Sequence, residues 1–162
     1  PAKSATAGFD HSHAKWTQVL QNFVVSKAFT TQFKYRDLKK SPGLLNEYLK
    51  ALESVSKKDF NTWAEKQRIA FLINAYNAYT VKLIIDNYPI KSIKSIGGFF
   101  SSPWKKKFFK LLGKERHLDE LEHDILRKKY NEPRVHFAVN FASVGCPALR
   151  NEAFVAEQLD PQ

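Results

Sequence analysis

The sequence has one cysteine, no methionine, six glycines and seven prolines in 162 residues. A single cysteine excludes an intrachain disulfide framework and any zinc site built on several thiolates. The glycines show no phosphate-loop spacing, and Gly97-Gly98 reads as a turn, so a glycine-rich nucleotide cradle is excluded. No stretch of about 18 uninterrupted apolar residues occurs, so nothing in the sequence reads as a membrane span. No secretory leader is visible, and because the chain starts at Pro1 rather than Met this leaves export open. The lack of methionine carries no functional content.

What is present is a core and a basic surface. Apolar residues make up 43% and aromatics 14%, with 13 Phe, which excludes disorder of the whole chain. At this length one ordinary domain is expected, burying about two-thirds of the surface of its unfolded chain. Lys and Arg number 26 against 16 Asp and Glu, a net charge of +10. Such a charge fits nucleic acid, an anionic membrane or an acidic substrate. The lysines are scattered, however, and glycine-arginine tracts and zinc-finger spacing are missing. The charge therefore reads first as solubility and steering. Nucleic acid is not expected as a partner, and a weak contact with an anionic membrane stays open.

The pattern along the chain reads as an α+β fold, a mainly helical single domain (11–162) with a small sheet, behind a flexible tail (1–10). Trp16, Val19, Leu20, Phe23 and Val24 form one helical stripe, predicting a helix over about 11–29 with Asp10 as N-cap. His11 and His13 then fall at its exposed start, and a spacing of two keeps their rings off a common face. Residues 31–40 read as a connector. Ser41-Pro42 opens a second helix to about Ser54, with Leu44, Leu45, Tyr48, Leu49 and Leu52 as its stripe. A polar segment, 54–62, leads to the longest pattern, 63–87. It is apolar nearly all round and ended by Pro89, which marks a centrally buried helix. Asn74 and Asn77 lie inside it on one face, either bonding a neighbouring backbone or lining a site. Residues 104–112 (WKKKFFKLL) read as a short basic-aromatic helix, 114–118 as extended, and 119–130 as a helix capped by Asp119 and Glu122. From Arg134 to Phe141 apolar and polar residues alternate, the best strand in the chain.

Just after that strand comes Gly145-Cys146-Pro147. Proline suits the first helical position, which makes Cys146 the N-cap of a following helix. Peptide dipoles and free N–H groups at such an end favour thiolate and can hold an oxyanion. A nucleophilic cysteine needs a base. His123, on the preceding helix, docks without strain, whereas His136 lies on the strand about 16 Å from its end if the strand runs straight. Asn140 is closer to the cysteine on the same strand face as His136. Glu122 suits orienting a histidine, His136 rather than the adjacent His123. Arg150, four residues after Cys146, suits a substrate carboxylate or a surface ion pair. No metal and no cofactor is expected. A metal set of His123, His136 and Glu122 lacks HExxH-type spacing.

Four segments recur in order: AFLINAYNAYTVKLI (70–84), YPIKSI (88–93), LDELEHDILR (118–127) and EPRVHFAVNFASVGCPALRNEAF (132–154). Together they resemble the DUF547 (domain of unknown function 547) family over about residues 63–160. The family's motif residues fall on Asn74, Asn77, Glu122, His123, Arg134, His136, Asn140, Cys146 and Arg150. The resemblance implies a Cys-His arrangement like those of papain- or transglutaminase-like thiol enzymes. Bacterial members look exported and plant members intracellular, so a periplasmic or extracellular location follows if the chain is bacterial. Family members also run on beyond EQLDPQ (157–162), which implies either a short member or a C-terminally truncated one.

The resulting expectation is a thiol-dependent hydrolase or acyltransferase acting on an amide or thioester of a small molecule or peptide. Cys146 is its nucleophile, His123 or His136 its base, and Asn74, Asn77, Asn140 and Arg150 bind substrate. The alternative is a non-catalytic binding module for a small thiol-containing or peptide ligand. A third reading is a basic interaction domain using Trp104–Lys110. Oligomeric state is not legible.

Overall fold

A computed structural model describes residues 8–27, 30–89, 107–122 and 152–158. They form a mostly helical domain with two small antiparallel sheets. In chain order these are α1 (Ala14–Phe23), β1 (Val24–Lys27), β2 (Thr30–Phe33), α2 (Tyr35–Lys40), α3 (Gly43–Ser54), α4 (Lys57–Thr62), α5 (Glu65–Asp86), β3 (Phe109–Leu111) and β4 (Lys114–Arg116). A 3₁₀ turn, Ala156–Gln158, follows.

α5 organises the rest. Its 22 residues make a rod about 33 Å long at about 1.5 Å per residue. Every side chain from Ile69 to Val81 is buried, and Leu83, Ile84 and Ile85 continue the burial. Trp16, Leu20, Leu38, Leu45 and Leu52, from α1, α2 and α3, belong to the same core as Phe71 and Leu72 of α5. At the start, Gln67 Oε1 accepts from the Ala64 N–H at 3.1 Å. At the end, the Asn87 amide donates to the Leu83 carbonyl at 2.9 Å, and Pro89 prevents continuation. The helix expected over 63–87 is therefore present. α3 likewise buries Leu45, Tyr48, Leu49 and Leu52, the stripe read from the sequence, although its N-cap is Pro42 rather than Ser41.

Three short elements differ from expectation. The first helix stops at Phe23, because Val24 to Lys27 pair antiparallel with Thr30 to Phe33. Val24 and Val25 are β-branched and favour the extended state. The 31–40 connector is thus a strand followed by α2. α4 lies within the segment read as polar spacer. Its signal was Ser56, whose Oγ caps the helix by accepting from the Asp59 N–H at 3.1 Å.

The helix expected over 104–112 is overturned at its C-terminal end, where β3 pairs with β4. The cause is a two-residue turn: Leu112 and Gly113 both have positive φ, 53° and 82°, the conformation a tight hairpin demands. Placing a leucine there costs about 1–2 kcal/mol, offset by burying its side chain in the core. The extended piece expected after Gly113 is β4. Beyond it, residues 118–122 are helical and include a π turn. The cap of this helix is His117, which accepts the Leu121 N–H at its carbonyl (3.4 Å) and the Glu120 N–H at Nδ1 (3.0 Å). The Asp119–Glu122 capping box is therefore replaced by a cap two residues earlier.

Gly113→Ala tests the turn. A Cβ there meets nothing within 4 Å, so only the backbone conformation resists it. The expected loss is about 1 kcal/mol in urea unfolding, with an unchanged m-value.

Candidate functional site

Of the residues singled out in the sequence, Asn74, Asn77 and Glu122 lie among the described residues; Cys146, His123, His136, Asn140 and Arg150 lie outside them. All three are buried, Asn74 at 0% exposure, Asn77 and Glu122 at 2% each. Asn74 and Asn77 sit one turn apart on α5, on the same face.

Asn74 works as a backbone clamp. Its Nδ2 donates to the Phe154 carbonyl at 2.7 Å, and its Oδ1 accepts the Phe154 N–H at 3.0 Å. One side-chain amide thus supplies what a neighbouring strand would supply, both bonds to one residue. The adjacent Ala153 N–H donates to Thr17 Oγ1 of α1 at 3.0 Å. Residues 153–154 are buried between the two helices that these bonds connect. Among the described residues no group of three or more His, Cys, Asp or Glu is arranged to hold a metal ion.

A second constellation lies at the other end of the sequence. His13 has φ 51° and is only 1% exposed, so the expectation of a solvent-facing histidine does not hold for it. Its Nδ1 is 2.7 Å from the buried Tyr48 hydroxyl of α3. Asp10 sets the approach: its carboxylate accepts from the Ser12 N–H and hydroxyl and from the Ala14 N–H, the first residue of α1. The N-cap of α1 is therefore His13 rather than the expected Asp10, and the helix starts at Ala14 rather than near His11; Asp10 bonds the first helical N–H from one turn earlier, and that turn swings His13 inward. Phe9 stacks on Trp63 at 5.4 Å and meets the His13 and Phe71 rings edge-on at 5.2 Å.

These groups border a cavity of about 740 Å³, with Phe9, Asp10, His13, Tyr48, Asp59 and Trp63 on its walls. Burial, then neighbouring His11, push the His13 imidazole down to about 4, against the pull of Asp10. Burial also holds the Tyr48 phenol well above its usual range. Burial pulls the Asp10 carboxyl upward, but the hydrogen bonds from Ser12 and Ala14 outweigh it and leave it below the ordinary value. The pair is thus a neutral imidazole on a neutral phenol at pH 7. Sequence reading missed it because Tyr48 is 35 residues away and the local pattern showed only a helix start.

Two measurements test these joints. Asn74→Ala strands the Phe154 N–H and carbonyl, and a loss of about 2–4 kcal/mol in unfolding free energy is expected, whereas Asn74→Asp, which keeps only the acceptor, loses part of the function in binding Phe154. For His13, the folded value near 4 lies below the ordinary histidine value of 6.5, so the unfolded chain takes up a proton first as pH falls. Stability is complete above about 6.5 and falls by up to about 1.4 kcal/mol per pH unit down to about 4. His13→Asn, which tolerates positive φ, is expected to flatten that slope by up to one proton in urea titrations.

A search of curated proteins finds no match, and neither does a search of solved structures. A family model does match, over residues 60–162, which include α5, the Asn74–Phe154 clamp and the cysteine motif. With well over half of its length matched, the chain belongs to the DUF547 family, described as a protein of unknown function.

Proposed function

We propose that this chain is a thiol-dependent hydrolase or acyltransferase acting on an amide or thioester of a small molecule or peptide, with a papain- or transglutaminase-like Cys-His arrangement. Cys146 is the nucleophile. His123 is the general base, with His136 as the alternative and Glu122 orienting the imidazole. Asn77, Asn140 and Arg150 bind the substrate. Asn74, with both amide heteroatoms already engaged by Phe154, acts as a positioning residue.

One observation carries the reading. Phe154 lies eight residues after Cys146 in the sequence, and its backbone is gripped by the polar face of α5 that also bears the buried Asn77. Phe154, downstream of the cysteine, is thus tied to the family's asparagine motif. In the reaction, histidine takes the thiol proton and the thiolate attacks the carbonyl carbon. The tetrahedral oxyanion is met by N–H groups at the start of the helix expected after Pro147. The leaving amine or thiol takes the proton from the imidazolium. Water then hydrolyses the acyl-enzyme, or another nucleophile accepts the acyl group.

The test combines alkylation with turnover. Iodoacetamide inactivation is expected to titrate well below the free-thiol value of about 8.5. Cys146→Ser is expected to abolish turnover of thioester and amide libraries, and replacing the true base by alanine to slow it about 10²–10⁴-fold. A thiol titrating near 8.5, together with tight ligand binding and no turnover, overturns the enzyme in favour of a binding module.

A further inference from the structure

We infer that the cavity beneath the N-terminal segment binds a small organic cation, an ammonium group received by the Asp59 carboxylate, in the field of the Asp10 charge and against the ring surface left open on Phe9 and Trp63. The inference is independent of Cys146, since nearly all of this site precedes the residues matched by the family model.

Size is the first support. About 740 Å³ falls within the range of about 300–1,000 Å³ usual for small-molecule sites. Its walls come from the segment before α1 and from α1, α3 and α4, so helix packing preforms it rather than one loop.

Charge is the second. The chain carries +10 overall, yet this cavity is lined by two carboxylates and a single ammonium, Lys15. Lys15 Nζ already lies 3.9 Å from Glu47, which is not part of the lining. The Asp59 carboxylate has neither a hydrogen bond nor an ion pair among the described residues; only its backbone is engaged. An anion would face two carboxylates here. A purely apolar ligand would strip water from them without compensation. A cation pairs with Asp59 and is drawn by the charge of Asp10, whose oxygens are already bonded by Ser12 and Ala14, and the open ring surface of Phe9 and Trp63 adds attraction.

His13 is the third. It lines the cavity at 1% exposure, and its Nε2 is buried with no hydrogen-bond partner among the described residues. With the Nδ1–H donating to the Tyr48 oxygen, Nε2 is a bare acceptor, and the cost of leaving it unmatched is recovered by a bound N–H or O–H donor. Its imidazole is neutral at pH 7, so it does not repel a cation. Phe9 and Trp63 are only half-buried, which leaves ring surface for a ligand.

The experiment titrates the full chain with choline and with n-butylammonium, followed by tryptophan fluorescence and calorimetry, and uses 3,3-dimethylbutanol as the uncharged isostere. At least one ammonium is expected to saturate, about tenfold or more tighter than the alcohol. Choline ahead of butylammonium points to the rings as the main contact, and the reverse order to the carboxylates; either supports the site. Asp59→Asn, at an exposed and unpaired position, is expected to weaken binding about fivefold or more without moving Tm. Ala51→Phe, which fills the cavity, is expected to abolish binding. The proposal is overturned if neither ammonium saturates below about 50 mM. It is equally overturned if the alcohol binds as well as choline, or if a folded Asp59→Asn binds unchanged.

Discussion

A helix buried on every side gives its polar side chains no water to bond, so each amide it carries must find a protein partner. α5 is such a helix, and Asn74 is the amide whose solution shapes the domain. By bonding both backbone groups of Phe154 it converts a cost of burial into a joint between the central helix and a segment 80 residues downstream. Thr80 solves the same problem locally, donating to the Tyr76 carbonyl one turn back at 2.7 Å. The difference between the two residues is one of reach. A hydroxyl can be satisfied inside its own helix, whereas a primary amide has donors and acceptors to spare for a second element.

The parts of the fold legible in the sequence are those where one residue pattern is repeated over several turns. α5 and α3 present such patterns, and both were readable. Of the two hairpins only β4 was, as the extended piece after Gly113. Strands of three or four residues contain too little alternation to register, and Leu112-Gly113 lacks the Asn or Asp that usually announces a tight turn. α4 has six residues and shows itself only through Ser56. Likewise, that Asn74 and Asn77 are buried could be read from the apolar residues around them, but the partner of Asn74 could not, because nothing local encodes a contact across 80 residues.

Histidine 13 illustrates the same limit from the other side. Counting from Asp10 placed it at a helix start, and helix starts usually face water. The carboxylate of Asp10 spends its acceptors on Ser12 and Ala14, and that turn points the ring at Tyr48 instead. Burial then outweighs the nearby carboxylate and keeps the ring uncharged. A polar pair of this kind joins α1 to α3 without any charge in the core, which avoids the desolvation a buried ion pair would meet.

The bond between Ala153 and Thr17 spans 136 residues, and the one between Phe154 and Asn74 spans 80. During synthesis the ribosome releases α1 and α5 long before it releases their common partner. Until then the α5 amide and the α1 hydroxyl have only solvent or a chaperone to satisfy them. Closing loops of that length slows a chain's final search. The nascent protein therefore waits with its central helix incompletely covered, and its last described segment is the piece that locks the domain shut.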